Sequence, residues 1–467
     1  MPTLRRVGAV MAVCYLVAVS PLSVPAAGAI TPPSVDGSAV PDDGEPGPDE
    51  PLRMQHTCAV TGVIPGSDLG APGVSQKFMD IPALWKSAGR GGGVSVAIID
   101  TGVNRSPRLP HVRGGGDFVV AEEDGLRDCD SHGTVIASII AGQPSEGDAF
   151  TGVAPDAEII SIRQSSEAYV PANPSPGDFA SDRRAGTVSG LARAVVHAAN
   201  SGAKVANVSI VACVPVLKPV DQTTLGAALR YAREVKDMVI VVAAGNVANQ
   251  DCAQNPDVDP TSAADPRNWA GVVTVSTPSW FSDYVLSVAA TDGTGSPAID
   301  DHGHEISLSG PWVGVAAPGV FIQGLDERGA VINGTFDSDA GRLKAMNGTS
   351  FSAAYVSALA VLIRGKYPNL SAAQVIRRIE ATAHSPAAVV DNRMGFGAID
   401  PLAALNADVA EGPVRPDQYG SAPLVLPPPP PKPDRGPMVM ALAGTGALAA
   451  LLVLMIGVVT LTRKDDR

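Results

Sequence analysis

The chain has 467 residues, of which 45% are hydrophobic and only 17% charged, with a formal net charge of −13. That length allows about three domains and a sizeable core, while the acidic balance argues against nucleic acid as a partner and against a general affinity for anionic lipid. Membrane contact is therefore expected from a dedicated segment.

Met1 to Ala29 carries Arg5 and Arg6, the apolar run Val7 to Val19 and then Ala27-Gly28-Ala29, the pattern of a cleavable signal peptide over 1–29. The chain is expected to be exported, and Cys14 to be discarded with that segment. Residues 30–79 form an N-terminal extension, in which Thr31 to Pro51 is dense in Pro, Gly, Asp and Glu and should be disordered or draped over a surface. Val94 to Val103 reads as a short strand ending on Asp100 and a glycine turn. Asp130 to Ala137 places His132 at the start of an apolar helix that Gly142 can close. Strands and helices then alternate: Ala157 to Ile162, Gly186 to Ser201, Lys204 to Ile210, Leu225 to Lys236, and Met238 to Ala243 running into Ala244-Gly245-Asn246. This alternation predicts an α/β fold, a parallel sheet flanked by helices. Gln164 to Arg184 and Asn255 to Trp269 follow neither period and are expected to be long loops, functional or mobile. His302 and His304 beside Asp300 and Asp301 read as a solvated turn rather than a metal site, since nothing nearby completes a ligand set.

Gly348 and Thr349 lead into Ser350, and the apolar run Phe351 to Ile363 that follows reads as a buried helix. Ser371 caps a last amphipathic helix, Ala372 to Thr382. After a main domain over 80–410, residues 411–437 form a linker whose proline run, Pro427 to Pro431, makes a semi-rigid spacer of roughly 3 Å per residue. Met438 to Leu461 carries no charge and is long enough to cross a bilayer with some tilt. Arg463, Lys464 and Arg467 follow it and place the 462–467 tail in the cytoplasm, as the signal peptide independently requires.

Three of these stretches combine chemically. A serine at the first turn of a helix sits where unpaired backbone N–H groups and the helix dipole favour negative charge. Its hydroxyl becomes a nucleophile when an imidazole takes its proton, and the imidazole needs a carboxylate to fix its tautomer and stabilise its charged form. Asp100, His132 and Ser350 supply these groups in that chain order. The stretches around them resemble the subtilisin-like serine proteases, and more closely the mycosins, the membrane-anchored subtilases of type VII secretion, over the region from near Asp80 to Ala410. An α/β-hydrolase elbow requires glycine where this chain has Ser352, and the serine-carboxyl peptidases use a glutamate where it has His132.

The resemblance implies an extracytoplasmic, membrane-anchored endopeptidase in which Ser350 attacks, His132 moves the proton and Asp100 orients His132. The Asn246 amide and the Ser350 N–H would form the oxyanion hole. It also implies that Asn207 to Val211 and Ala243 to Gly245 flank the P1 side chain, with Ser209 near the substrate backbone. Ile210-Val211-Ala212 is bulkier than the leucine and glycines usual there, so a P1 preference is not carried over. Ala354 stands where the family commonly has proline, a change that favours the helix. The implied substrates are proteins exported by a type VII secretion system, and the implied partner is its membrane complex, compatible with an oligomer there and with no cofactor. A mainly structural role in that complex is the alternative. The extension is expected to wrap the protease domain instead of forming a folded inhibitory prosegment. The remaining cysteines, Cys58, Cys129, Cys213 and Cys252, allow three pairings in an exported chain. Cys58 with Cys129 is favoured, stapling the extension beside His132, and Cys213 with Cys252 would join two loops that follow parallel strands. No pair has the close spacing of a zinc module.

Overall fold

The computed structural model describes residues 30–173, 186–247, 252–262, 264–412 and 435–462. The expected signal peptide, most of the linker, residues 463–467 of the expected C-terminal tail and residues 174–185 of the first long loop lie outside them. The chain divides into two units, Met1–Tyr419 and Gly420–Arg467.

The first unit runs through β1 (Leu52–Met54), β2 (Thr61–Gly62), α1 (Val74–Met79) and α2 (Ile81–Ala88) into β3 (Ser95–Asp100), β4 (Val112–Asp117), α3 (His132–Ala141), β5 (Glu158–Arg163), β6 (Tyr169–Pro171) and α4 (Val188–Asn200). Next come β7 (Val205–Val208), β8 (Ala212–Pro215), α5 (Thr223–Arg230), β9 (Val239–Ala243), β10 (Thr274–Thr277), β11 (Leu286–Thr291) and β12 (Val313–Pro318). The short strands β13 (Gly324–Leu325), β14 (Val331–Ile332), β15 (Gly334–Asp337) and β16 (Arg342–Ala345) precede α6 (Thr349–Lys366), α7 (Ala372–Thr382) and α8 (Pro401–Asn406).

Seven strands form one sheet in the order β12-β11-β9-β7-β3-β5-β4, and every pairing in it is parallel. Its strands, apart from the edge strand β4, are mostly apolar runs because helices cover both faces. Along β3, Val96 and Ile98 join the core built with α3 and α6, while Ala97 and Ile99 join the one built with α4 and α5, as the two-residue period of a strand requires. Because β3, β7 and β9 are neighbours and parallel, the residues that follow them lie along one sheet edge. In an open parallel sheet this carboxyl edge is where sites are built.

Several expected boundaries shift. The Lys204 to Ile210 strand is only Val205–Val208: the chain leaves the sheet at Ser209 and from Ala212 enters another strand, β8, that pairs antiparallel with β10. Cys213 therefore sits on a strand, not in a loop. The helix expected over Leu225 to Lys236 is α-helical only to Arg230 and finishes as a wider π turn, Tyr231–Val235. Gly142 does close α3, but with an extended backbone (φ −63°, ψ 127°). A Cβ there would come 2.6 Å from Ser138 O, so close approach, not a left-handed turn, requires the glycine. The first long loop is not wholly irregular, since its Tyr169–Pro171 pairs with β1.

The extension is draped, as its composition predicts, and its polar groups find partners on the domain. Val35 and Val40 pack on the core of α4 and α5. Asp43 accepts from His197 Nδ1 and Asn200 Nδ2, both at 2.8 Å, and Asp49 pairs with Arg193 at 2.6 Å. Farther along, β1 pairs with β6 and β2 with β15, and the Ile64 N–H donates to Asn333 Oδ1 at 2.8 Å. Cys58 is bonded to Cys129 and Cys213 to Cys252, with Cα separations of 4.5 and 5.2 Å. Non-reducing peptide mapping should recover these two crosslinks. Converting Cys58 and Cys129 to serine is expected to cost about 2 to 5 kcal/mol in chemical denaturation, since a 71-residue separation is released. Unchanged stability would mean that the staple restrains nothing.

The second unit contributes α9 (Gly436–Thr462). Its Gly436–Val458 segment is 23 residues long and apolar enough to cross a membrane. At roughly 1.5 Å per residue it spans the roughly 30 Å of a hydrocarbon core.

Candidate active site

Asp100 ends β3 fully buried, and its Oδ1 accepts from His132 Nδ1 at 2.7 Å and from the Thr101 N–H at 2.8 Å. The approach of α3 to β3 depends on Gly133: a Cβ there would meet Gly102 O at 2.1 Å and Asp100 Oδ1 at 3.2 Å. His132 is the first residue of α3, reached through Ser131 in a left-handed conformation (φ 61°). Its ring tilts against that of Phe351, with centroids 5.5 Å apart, which brings it beside the first turn of α6.

The segment before His132 is anchored by Asp128, which the sequence reading did not single out. Its carboxylate accepts from Thr134 N–H (2.8 Å), Thr134 Oγ1 (2.6 Å), Thr101 Oγ1 (2.9 Å) and Asp130 N–H (3.1 Å). Burial nevertheless pushes its pKa up, to about 6, against the lowering effect of these hydrogen bonds. Asp130 accepts from Ser166 Oγ at 2.6 Å and Glu167 N–H at 3.0 Å. For His132, burial alone would lower the pKa. The charge and hydrogen bond of Asp100, joined by Asp128 and Asp130, outweigh it and raise the value to about 9. Desolvation is the largest single influence on the ring, and only the combined pull of the three carboxylates exceeds it.

Ser350 lies in the first turn of α6, and its Oγ donates to the backbone carbonyl of Ser209 at 3.2 Å. Ser209 answers through its own Oγ, which donates to Ser350 O at 3.4 Å. The hydroxyl proton is thus committed to the Ser209 carbonyl, not to His132, in this structure. Rotation about χ1, a change between staggered wells, is the movement that would redirect it.

Asn246 follows β9, and its Oδ1 accepts from the Thr349 N–H at 2.9 Å and from Thr349 Oγ1 at 3.1 Å. A backbone N–H can only donate, so this contact fixes the amide orientation and leaves Nδ2 as the free donor. Thr349 Oγ1 also accepts from the Gly245 N–H at 3.2 Å. Thr349, which sequence reasoning treated only as part of a flexible lead-in, therefore holds Asn246 and Gly245 together. Gly245 has φ 105° and Ala243 is fully buried, its carbonyl accepting from Ser279 Oγ at 2.5 Å.

His302 and His304 lie in an exposed turn whose backbone N–H groups donate to Asp300 Oδ1 at 2.8 and 2.9 Å. The second long loop is anchored, because Asn255 donates to Thr274 O and Ser309 O and accepts from the N–H groups of Val273 and Thr274.

A carboxylate-held imidazole, a hydroxyl at a helix start and a fixed amide donor on one sheet edge are the parts needed for acyl transfer to serine. The chain belongs to the subtilase family, whose model matches residues 91–397. Within it the chain falls among the mycosins, subtilisin-like serine proteases. It is 45% identical to Mycosin-1 of Mycolicibacterium smegmatis over 98% of each chain. It is 46% identical to Mycosin-3 of Mycobacterium tuberculosis over 94% of each. It also matches a chain in the structure of an intact ESX-5 inner membrane complex, with a TM-score of 0.77 and 44% identity, covering 92% of this chain and 100% of that one.

Proposed function

We propose that this protein is a membrane-anchored endopeptidase that cleaves proteins exported by a type VII secretion system. Ser350 is the nucleophile, His132 the general base and Asp100 the group that orients it. Asn246 Nδ2 and the Ser350 N–H receive the oxyanion, and Ser209, Ala243 and Gly245 flank the substrate. The observation that carries this reading is the His132 ring held between Asp100 Oδ1 and Phe351, the residue after Ser350. Substrate binding would rotate the Ser350 hydroxyl from Ser209 O toward His132 Nε2. The proton then passes to His132 and on to the leaving amine, and water repeats the sequence on the acyl-enzyme. The mechanism calls for no metal or cofactor. A serine-directed fluorophosphonate should label the purified chain at Ser350 and leave the Ser350→Ala protein unlabelled. Labelling at any other serine would remove the assignment.

Kinship to a chain within the ESX-5 complex favours a second role, as a component that stabilises a secretion membrane complex. The topology that suits both roles has the catalytic unit outside, α9 in the bilayer and the tail in the cytoplasm. In cells, Ser350→Ala should stop cargo processing while secretion continues, whereas truncation before Met438 should impair secretion. If Ser350→Ala abolishes secretion as fully as deletion does, the roles are not separable and the enzyme reading stands alone.

A further inference from the structure

Asn207 lies in the middle of the sheet, paired in register with Ile98 on one side and Val241 on the other. It is fully buried in a strand whose other residues are Val205, Ala206 and Val208. A buried amide in such a place is costly unless its polar atoms are matched. Here they are matched in one direction. Ser357 Oγ, on α6 and also fully buried, donates to Asn207 Oδ1 at 2.9 Å. Asn207 Nδ2 donates to Ser209 Oγ at 2.6 Å, and Ser209 Oγ donates to Ser350 O at 3.4 Å. Ser350 and Ser357 are two helical turns apart on one face of α6, so the bonds form a closed circuit from the helix to the end of β7 and back to the residue where the helix starts.

The circuit fixes two things that the hydroxyl of Ser350 needs. It seats the first turn of α6 against Ser209, and it holds in place the residue whose carbonyl is the acceptor for Ser350 Oγ at rest. Hydrogen bonds that run in one sense strengthen one another in a dry interior, so loss of either distal member should be felt at the site. From this we infer that Asn207 and Ser357 are positioning residues for Ser350, acting through Ser209. The inference rests on the nucleophile assignment proposed above.

The test uses the full-length protein in detergent with Asn207→Leu, Ser357→Ala, the double variant and Ser357→Thr. Turnover of a fluorogenic peptide, fluorophosphonate labelling rate and melting temperature are measured on each. Asn207→Leu and Ser357→Ala should each lower kcat about tenfold with KM within about twofold, because placement of the hydroxyl, not binding, is disturbed. The labelling rate should fall in parallel. The double variant should be no slower than the slower single variant, the mark of one shared chain. Ser357→Thr, which keeps the hydroxyl, should stay within about twofold of the unmodified protein. If Asn207→Leu fails to fold, Ser357→Ala and Ser209→Ala carry the comparison. Folded variants with a lower melting temperature but unchanged kcat and labelling, or single effects that multiply, would overturn the inference alone. An unmodified protein that resists labelling at Ser350 would overturn the nucleophile assignment and this inference with it.

Discussion

Replacing Asn246 with alanine is expected to lower peptide turnover about 10²- to 10³-fold, a magnitude established on subtilisin itself for loss of one oxyanion donor. Ser350→Ala should remove turnover almost wholly, since the hydroxyl of Thr349 beside it is committed to Asn246 and Gly245. The Asn246 effect depends on amide orientation. With Oδ1 committed to the N–H and hydroxyl of Thr349, Nδ2 is the donor left for charge developing on the scissile carbonyl. KM should change little, because that donor matters more to the tetrahedral oxyanion than to the ground-state carbonyl. Steady-state kinetics on one peptide check both variants. An Asn246→Ala protein with unaltered kcat would remove the amide from the mechanism, and residual full activity in Ser350→Ala would remove the mechanism itself.

Hydrolysis is expected to rise with pH to a midpoint near 9, the raised pKa of His132, because only neutral imidazole can accept the hydroxyl proton. The unperturbed value of about 6.5 is the midpoint that the sequence alone would suggest. It is displaced upward because burial, which would lower it, is outweighed by Asp100, Asp128 and Asp130. At pH 7, two units below the midpoint, about one His132 in a hundred is neutral in the free enzyme. The pH profile of kcat/KM is the measurement. Asp130→Asn should move the midpoint down, and a midpoint of 6.5 in the unmodified protein would show that the carboxylates do not act as described. Stability should run in the opposite sense. A histidine whose folded pKa lies above its unfolded one contributes stability that is fully present below about pH 6.5 and is lost as pH rises through about 9. Across that window the protein should gain activity while losing the contribution of this pair.

The residues most legible in the sequence were those whose setting is local. Asp100 closes an apolar run before a glycine turn, His132 opens an apolar helix, and Ser350 sits between Gly348 and a long buried helix. Each can be placed on the end of an element from its immediate neighbours. What stayed illegible was the layer that joins them. Thr349 matters through Asn246, Asp128 through Thr101 and Thr134, and Asn207 through Ser357. Those contacts form only when distant strands and helices are brought together. Ser209 and Ile210 read as continuing strand from the β propensity of Val208 and Ile210. Pairing of β8 with β10 overrode that local signal.

The draped extension also has a consequence for the order of events after export. Its anchors lie far downstream: Asp43 waits for His197, Ile64 for Asn333, and β2 for β15, and the Ile64 contact spans 269 residues of chain. Contacts of such separation close late, because the intervening chain must be organised before they can form. A segment that emerges first therefore docks last, as a clasp closed over a finished domain, whereas a templating prosegment would have to bind a domain still unfolded. In refolding experiments under oxidising conditions, Cys58 should remain open to thiol-trapping reagents after the sheet has formed. Early burial of Cys58, ahead of the sheet, would reverse that order.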